Sequence, residues 1–294
     1  MQNNIQPLKQ PLDYPKQIEH LRLKHSLVIE DEADAIEILS KVNYYRLSAY
    51  GIGLRENNNP EKFLPGISLN HIYRIYQFDE QFRRILSSGI EPIEIELRTK
   101  IAHHIALNYG AEGYVDSKNF IVKTNRFNQN LHQVFIKKFR DEVRRQSSLP
   151  SVKHHNKKYG GHFPIWVAVE LFSFGMLSTL YSLMLAKDQK AVAEQFNTFD
   201  KALKSWILSL VEVRNRCAHY GRIYNMPLQQ TPFLYRNHVK YRSNKIFPVF
   251  LVLRRLMKQD EWAILKQQLS VLFSKYPEVQ LSFIGFPNNW EIIL

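Results

Sequence analysis

Apolar residues recur along this chain at intervals of three and four, the spacing that lays one face of an α-helix against a core. Ala35, Ile38, Leu39 and Val42 follow it behind Asp31 or Glu32, which open a helix running towards the aromatic patch Asn43-Tyr44-Tyr45-Arg46-Leu47-Ser48-Ala49-Tyr50. Gly51, Gly53 and the run Asn57-Asn58-Asn59-Pro60 then break the chain. From Ser68, a residue type that caps helix N-termini, the stripe Ile72, Ile75, Tyr76, Phe82, Ile85, Leu86, Ile90, Ile93, Leu97 and Ile101 predicts a long helical stretch. It reaches Tyr109-Gly110 and is kinked or divided at Gly89 and Pro92.

A further helix is predicted from Arg126 to Gln146, with Phe127, Leu131, Val134, Phe135 and Phe139 inward. The stretch Val152 to His162, rich in Lys, His and Gly, reads as a mobile basic loop. An apolar helix from Phe163 to Ala186, a short amphipathic piece near Gln189 to Phe196 and a helix capped by Asp200 follow. That helix closes at Tyr220-Gly221, where glycine suits a left-handed cap. One more helix over 249–275 completes the reading, with no strand period and no internal repeat. The expected fold class is therefore all-α. The break near Asn57 to Pro60 suggests an N-terminal helical extension over 1–62 and a main helical domain over 63–294, which could also form one continuous domain.

Composition changes this picture in three ways. The 45% hydrophobic content of the 294 residues is enough for a proper core. Lys and Arg number 40 against 27 Asp and Glu, a net charge of +13 that concentrates polyanions near the surface. Nucleic acid and an anionic membrane both fit. Cys217 is the single cysteine, which excludes an internal disulfide and a cysteine zinc cage. The start Met1-Gln2-Asn3-Asn4-Ile5-Gln6-Pro7 lacks the layout of a signal peptide, and together these favour the cytoplasm. Phe163 to Ala186 could be mistaken for a membrane span, but Glu170 and several hydroxyls would be costly at membrane depth, so a buried core helix is expected.

An arginine followed by a histidine four to six residues later is close to what this composition produces by chance, at Arg98–His103, Arg98–His104, Arg126–His132 and Arg214–His219. Arg214 differs in its place. At 100° per residue it lies on the apolar line of Leu203, Ile207, Leu210 and Cys217, all within about 40°. A guanidinium there needs an anion or polar partners. It meets either a substrate phosphate or, more blandly, a carboxylate elsewhere in the core. Glu212 and Asn215 share a face with His219, and either could fix its imidazole. The bland reading of His219 is a cation placed favourably at a helix C-terminus. On a straight helix Arg214 and His219 are about 140° apart. They converge only if the last turn is distorted or a second chain or segment completes the site. Histidine can move the proton of a ribose 2′-hydroxyl or of a leaving 5′-oxygen, and arginine can neutralise phosphorane charge. That chemistry cleaves RNA without a metal or other cofactor and leaves DNA inert.

The segment Arg214-Asn215-Arg216-Cys217-Ala218-His219-Tyr220-Gly221-Arg222-Ile223-Tyr224-Asn225 resembles the signature of HEPN ribonucleases, and more narrowly that of bacterial abortive-infection (Abi, AbiD/AbiF-like) proteins. The stretches Asn43–Tyr50, Tyr76–Asp79, Glu96–Thr99, Pro164–Val167, Phe174-Gly175 and Gly285–Pro287 followed by Trp290 agree with it. The resemblance implies a HEPN-like helical bundle, RNA cleavage in phage defence, and a homodimer that pairs two motif-bearing helices. It also implies that Arg214 and His219 are catalytic, with Asn215 completing the motif, and that a structured non-coding RNA restrains some relatives. Arg98-Thr99-Lys100-Ile101-Ala102-His103 repeats the spacing with Thr in the polar slot, and pairing with Glu94 already accounts for Arg98.

RNA contact is expected from Lys153, Lys157 and Lys158, from Arg222, and from Arg236, Lys240, Arg242 and Lys245, with Tyr235 and Tyr241 placed to stack on bases. A solvated basic face is the plain alternative. His154, His155 and His162 could hold a metal, but no acidic residue lies nearby in sequence, so no metal site is expected. Two further function classes stay open, a non-catalytic RNA-binding protein on the same scaffold and a membrane-acting toxin.

Overall fold

The computed structural model describes residue 8 and residues 10–294, so the reading of the first seven residues as no leader lies outside the described part. Among the described residues 13 α-helices form and no strand does, so the fold is all-α. By contact density the chain divides into two compact units, Met1–Phe82 with Ser270–Gln280, and Arg83–Leu269 with Leu281–Leu294. The division falls inside a helix rather than in the Asn57–Pro60 break near the expected 62/63 boundary.

The first unit opens with α1 (Tyr14–His25), which the apolar spacing did not announce, capped by the Asp13 carboxylate on the Lys16 amide. Asp31 caps α2 (Glu32–Lys41), and Ala35, Ile38 and Leu39 are buried as expected. The patch at 43–50 forms α3 (Tyr44–Ser48) and a 3-10 turn, and the buried Tyr50 hydroxyl donates to buried Asp79 at 2.8 Å. Phe78 and Phe82 stack at 5.4 Å, and Gln81 donates to the Tyr276 hydroxyl at 2.6 Å.

α4 (Leu69–Tyr109) starts where Ser68 Oγ accepts the His71 amide at 3.1 Å, and it continues unbroken through Gly89 and Pro92. Proline removes one helical N–H, yet Leu86, Ile90, Leu97 and Ile101 around it are fully buried. Each such side chain contributes about 1.5–3 kcal/mol, more than the lost bond. Gly89 serves a close approach instead of a kink, since a Cβ there would lie 2.4 Å from Leu265 Cδ1.

The second unit differs from the sequence reading in where its helices stop. α5 spans Leu131–Arg145, because Asn130 caps it through the His132 and Gln133 amides, and this leaves Phe127 outside and exposed. The expected basic loop is instead α6 (Pro150–Lys158), with Pro150 in the first turn and Val152 and His155 buried three apart. The single apolar helix is two, α7 (Ile165–Leu171) and α8 (Phe174–Leu183), because Ser173 Oγ takes the Met176 amide at 3.2 Å and restarts the helix. Both are largely buried. Among the described residues no helix is long and apolar enough to cross a membrane.

α9 (Ala186–Glu194) is tied to α4 by buried Asp188, which pairs with His104 Nε2 at 2.9 Å and accepts from the Tyr109 hydroxyl at 2.6 Å. Burial and this carboxylate push the Tyr109 phenol up to about 12, so it stays a donor. α10 (Asp200–Ala218) packs against α8, α9 and α11 (Phe247–Leu256), with Phe199 as its N-cap and Asp200 already in the first turn. The long C-terminal helix is interrupted at Met257-Lys258 and resumes as α12 (Gln259–Lys275), and the chain closes with α13 (Trp290–Ile293).

Candidate active site

The apolar line on α10 is buried as expected, with Leu203, Ile207 and Leu210 fully enclosed and Cys217 nearly so. Arg214 stands on that line, yet 39% of its side chain is exposed. Its partner is a core carboxylate: Nε lies 3.2 Å from Glu94 Oε2 of α4, and Glu94 is itself buried. The bland expectation for this arginine therefore describes one edge of its guanidinium, and the other edge faces out. Nη1 reaches Asn215 Oδ1 at 3.4 Å.

Glu94 also receives Arg98, so one carboxylate serves two arginines with different fates. Arg98 is 11% exposed, and both its Nη groups are engaged. Besides Glu94 it donates to the Val169 and Phe172 carbonyls, capping the C-terminal end of α7. His103, five residues on, is exposed, and Thr99 Oγ1 bonds back to the Ile95 carbonyl at 3.0 Å. Arg98 thus ties Glu94 to the end of α7 behind Arg214, and His103 takes no part in this.

Past Arg214 the helix ends abruptly. His219 is its C-cap with φ −96° and ψ 17°, and Tyr220 follows with φ 56°. The Tyr220 amide bonds to the Cys217 carbonyl at 3.1 Å and the Gly221 amide to the Arg216 carbonyl at 2.7 Å, a Schellman closure. The left-handed residue is therefore tyrosine, not the glycine expected there. Gly221 is needed for space: a Cβ would stand 2.9 Å from Arg216 Cγ and 3.1 Å from the Arg216 carbonyl oxygen. The chain leaves the helical path only at Tyr220, because the His219 amide still makes the helical bond to the Asn215 carbonyl at 3.0 Å. Of the two conditions for convergence with Arg214, a second chain or segment is the one that remains.

Neither expected orienter holds the imidazole. Glu212 is taken by Arg216 Nη2 at 2.7 Å and by the Gln229 and Gln230 amides at 3.0 and 2.7 Å, so it pins the following loop to α10. Asn215 offers its amide oxygen to Arg214 and its backbone carbonyl to the His219 amide at 3.0 Å. The His219 side chain is exposed at the helix end with no hydrogen bond among the described residues. The arrangement is an arginine held at one edge, with an unencumbered imidazole one turn beyond. It can neutralise a phosphate and exchange a proton, and neither act involves a metal.

The basic residues expected to touch RNA lie on separate elements. Lys153, Lys157 and Lys158 project from α6, all exposed. Arg222 is half-buried and donates to Met226 Sδ at 3.0 Å. Lys245 reaches Asn225 Oδ1 at 3.3 Å. Arg236, Lys240 and Arg242 are exposed around a 3-10 turn over Val239–Tyr241. Tyr235 is half-buried, its hydroxyl bonded to Thr198 Oγ1 at 2.8 Å, and Tyr241 packs edge-on to Phe247 at 5.6 Å. Two of the three histidines have polar partners, while exposed His154 makes ring contacts with His155 and Tyr159. His155 is stacked on Phe163 and bonded to the Ser151 carbonyl, and His162 pairs with Glu112 at 3.0 Å, an acidic partner distant in sequence. No group of His, Cys, Asp and Glu that could hold a metal exists among the described residues.

Pattern reading overlooked Phe233, Asn237, His238, Arg254 and Arg255, which line one cavity of about 200 Å³ in the second unit. The adjacent arginines closing the otherwise apolar α11 were the available signal.

The sequence profile described as Abi-like protein matches residues 37–225, more than half of the chain, from within α2 to just past the α10 closure. The chain belongs to the Abi-like protein family. No curated protein and no solved structure matches it.

Proposed function

We propose that this protein is a metal-independent endoribonuclease of the HEPN type, acting in abortive-infection defence against phage. The observation that carries the reading is the end of α10: Arg214, fixed by Glu94 yet 39% exposed, precedes an unencumbered imidazole at the helix C-cap. The family match, which spans this turn, and the +13 charge support it.

In this mechanism the 2′-oxygen attacks its neighbouring phosphorus as its proton is withdrawn. The P–O5′ bond breaks, and the 5′-oxygen leaves with a proton, yielding a 2′,3′-cyclic phosphate and a 5′-hydroxyl. Arg214 offsets charge on the non-bridging oxygens. His219 carries one of the two protons, and Asn215 steadies Arg214. A second copy of α10 in a homodimer would bring the complementary His219 for the other. RNA approaches over the Lys153, Lys157 and Lys158 face and the Arg236–Arg242 turn, with Arg222 and Lys245 beside the α10 closure. A structured non-coding RNA bound there would restrain the enzyme.

Purified protein is expected to degrade RNA in EDTA, leaving cyclic phosphate ends and sparing DNA. Activity that persists in an Arg214→Ala/His219→Ala double variant sinks the assignment.

One observation favours a second reading, non-catalytic RNA binding in which Arg214 and His219 grip a phosphate. The Glu94 carboxylate already offsets part of the Arg214 charge. Salt-sensitive RNA binding without cleavage under any condition would select it.

A further inference from the structure

The cavity of about 200 Å³ beside α10 and α11 has the chemistry of a nucleotide site. Its walls combine rings, fixed guanidinium groups and one amide, and no carboxylate lines it. Trp206 forms the buried floor, its indole N–H donating to the Phe233 carbonyl at 2.7 Å. Phe233 is 40% exposed, edge-on to Tyr235 at 5.5 Å and to Phe199 at 5.2 Å. Of the aromatic residues that line the cavity, Phe233 is the exposed one, with Trp206 buried and Tyr235 and His238 half-buried.

Arg255 is anchored at one Nη by the Asn197 carbonyl at 2.7 Å and lies 4.5 Å over the Tyr235 ring. Arg254 is anchored by the Ile293 carbonyl. Each guanidinium carries five N–H donors, so most remain uncommitted. Neither arginine makes an ion pair among the described residues. The site is thus positive, with its cations held in place and not balanced. Asn237 adds a donor and an acceptor on one small side chain at the rim. His238, also lining, is kept towards its neutral form by burial and by Arg254 and Lys240.

We propose that this cavity binds a single nucleotide through its 5′-phosphate, with the base stacked on Phe233, the phosphate on Arg254 and Arg255, and Asn237 at the base edge. A bare anion would not use the ring, and an apolar ligand would not use the arginines. Trp206 lies eight residues before Arg214 on α10, about 12 Å along the axis at 1.5 Å per residue. An RNA strand crossing the Arg214 site could therefore leave one unstacked nucleotide here. A free nucleoside monophosphate presents the same chemistry. The RNA source rests on the ribonuclease reading above, and the free source does not.

The test measures equilibrium binding to the full-length protein, using the four ribonucleoside 5′-monophosphates, inorganic phosphate, the four nucleosides, and an uncleavable 2′-O-methyl octanucleotide. Because nothing is cut, the result is independent of whether Arg214 and His219 are catalytic. Monophosphates are expected to bind at least tenfold more tightly than phosphate or nucleosides. Phe233→Ala and Arg254→Gln should each weaken binding about tenfold, the loss of one stacked base or one charge-assisted contact. Phe233→Trp should restore the stacking part, which a merely misfolded variant would not allow. If the octanucleotide competes and shares these losses, the source is RNA. If monophosphates bind without competition, the source is a free nucleotide. No saturable monophosphate binding, phosphate bound as tightly as the nucleotides, or affinity unchanged in both variants would overturn the proposal.

Discussion

Glutamine in place of Glu94 keeps the size of the side chain but removes the negative charge shared by Arg98 and Arg214. The two arginines should feel this very differently. The Arg98 side chain is 11% exposed, so it would remain as a buried cation facing only neutral acceptors, the Val169 and Phe172 carbonyls and the new amide. Removing one partner of a buried pair costs about 3–5 kcal/mol. The surviving carbonyl bonds and the amide oxygen of glutamine bring the expected loss to about 2–4 kcal/mol. Arg214 is 39% exposed, where solvent screens its pair with Glu94, and its share is about 1 kcal/mol or less. For a chain of this size the sum corresponds to a fall in Tm of about 3–8 °C. Calorimetry and urea unfolding of Glu94→Gln, Arg98→Met and the double variant would read it. The double variant should recover much of the loss, because no buried charge then lacks a partner. A Glu94→Gln protein within about 0.5 kcal/mol of wild type, or strictly additive losses, would refute the reasoning.

Arg214→Ala should cost about 1 kcal/mol of stability or less and abolish RNA cleavage, whereas Arg98→Ala should cost about 3 kcal/mol or more, and unfolding and cleavage assays on the same preparations separate the two. Gly221→Ala presses a methyl group against an Arg216 side chain already held by Glu212, so a loss of about 1–3 kcal/mol is expected in thermal unfolding, and an unchanged Tm would show that the turn relaxes freely. The pKa of His238 is depressed in the folded state by burial, then by Arg254 and Lys240, so the folded protein binds fewer protons than the unfolded chain. Its contribution is complete above the ordinary value of 6.5 and is lost as pH falls below it. Melts at pH 7.5 and 5 should therefore show a smaller acid-induced drop in His238→Gln, and equal drops would count against the shift.

Helices with a strong local period were legible in the chain, whereas α1 and α6 were not, and the stripes from Ile72 to Ile101 and from Leu203 to Cys217 are buried as read except at half-buried Tyr76 and Ile85. Caps at Asp31 and Ser68 were legible as well, since a short side chain bonds an amide three residues on. Helix ends elsewhere were not. Ser173 could sit inside an apolar helix or restart one, and the Lys-rich face of α6 hid the burial of Val152 and His155. The motif Arg214–His219 also stood in the sequence, together with the reason to notice it, a charge on an apolar line. What that charge meets was decided only by the tertiary structure. Glu94 lies more than a hundred residues away, and the packing of α4 and α10 gives its carboxylate to both Arg98 and Arg214 while leaving only the second open to solvent. Local sequence sets which side chains share a helix face. Only packing decides which of two chemically identical arginines is walled in and which one faces out.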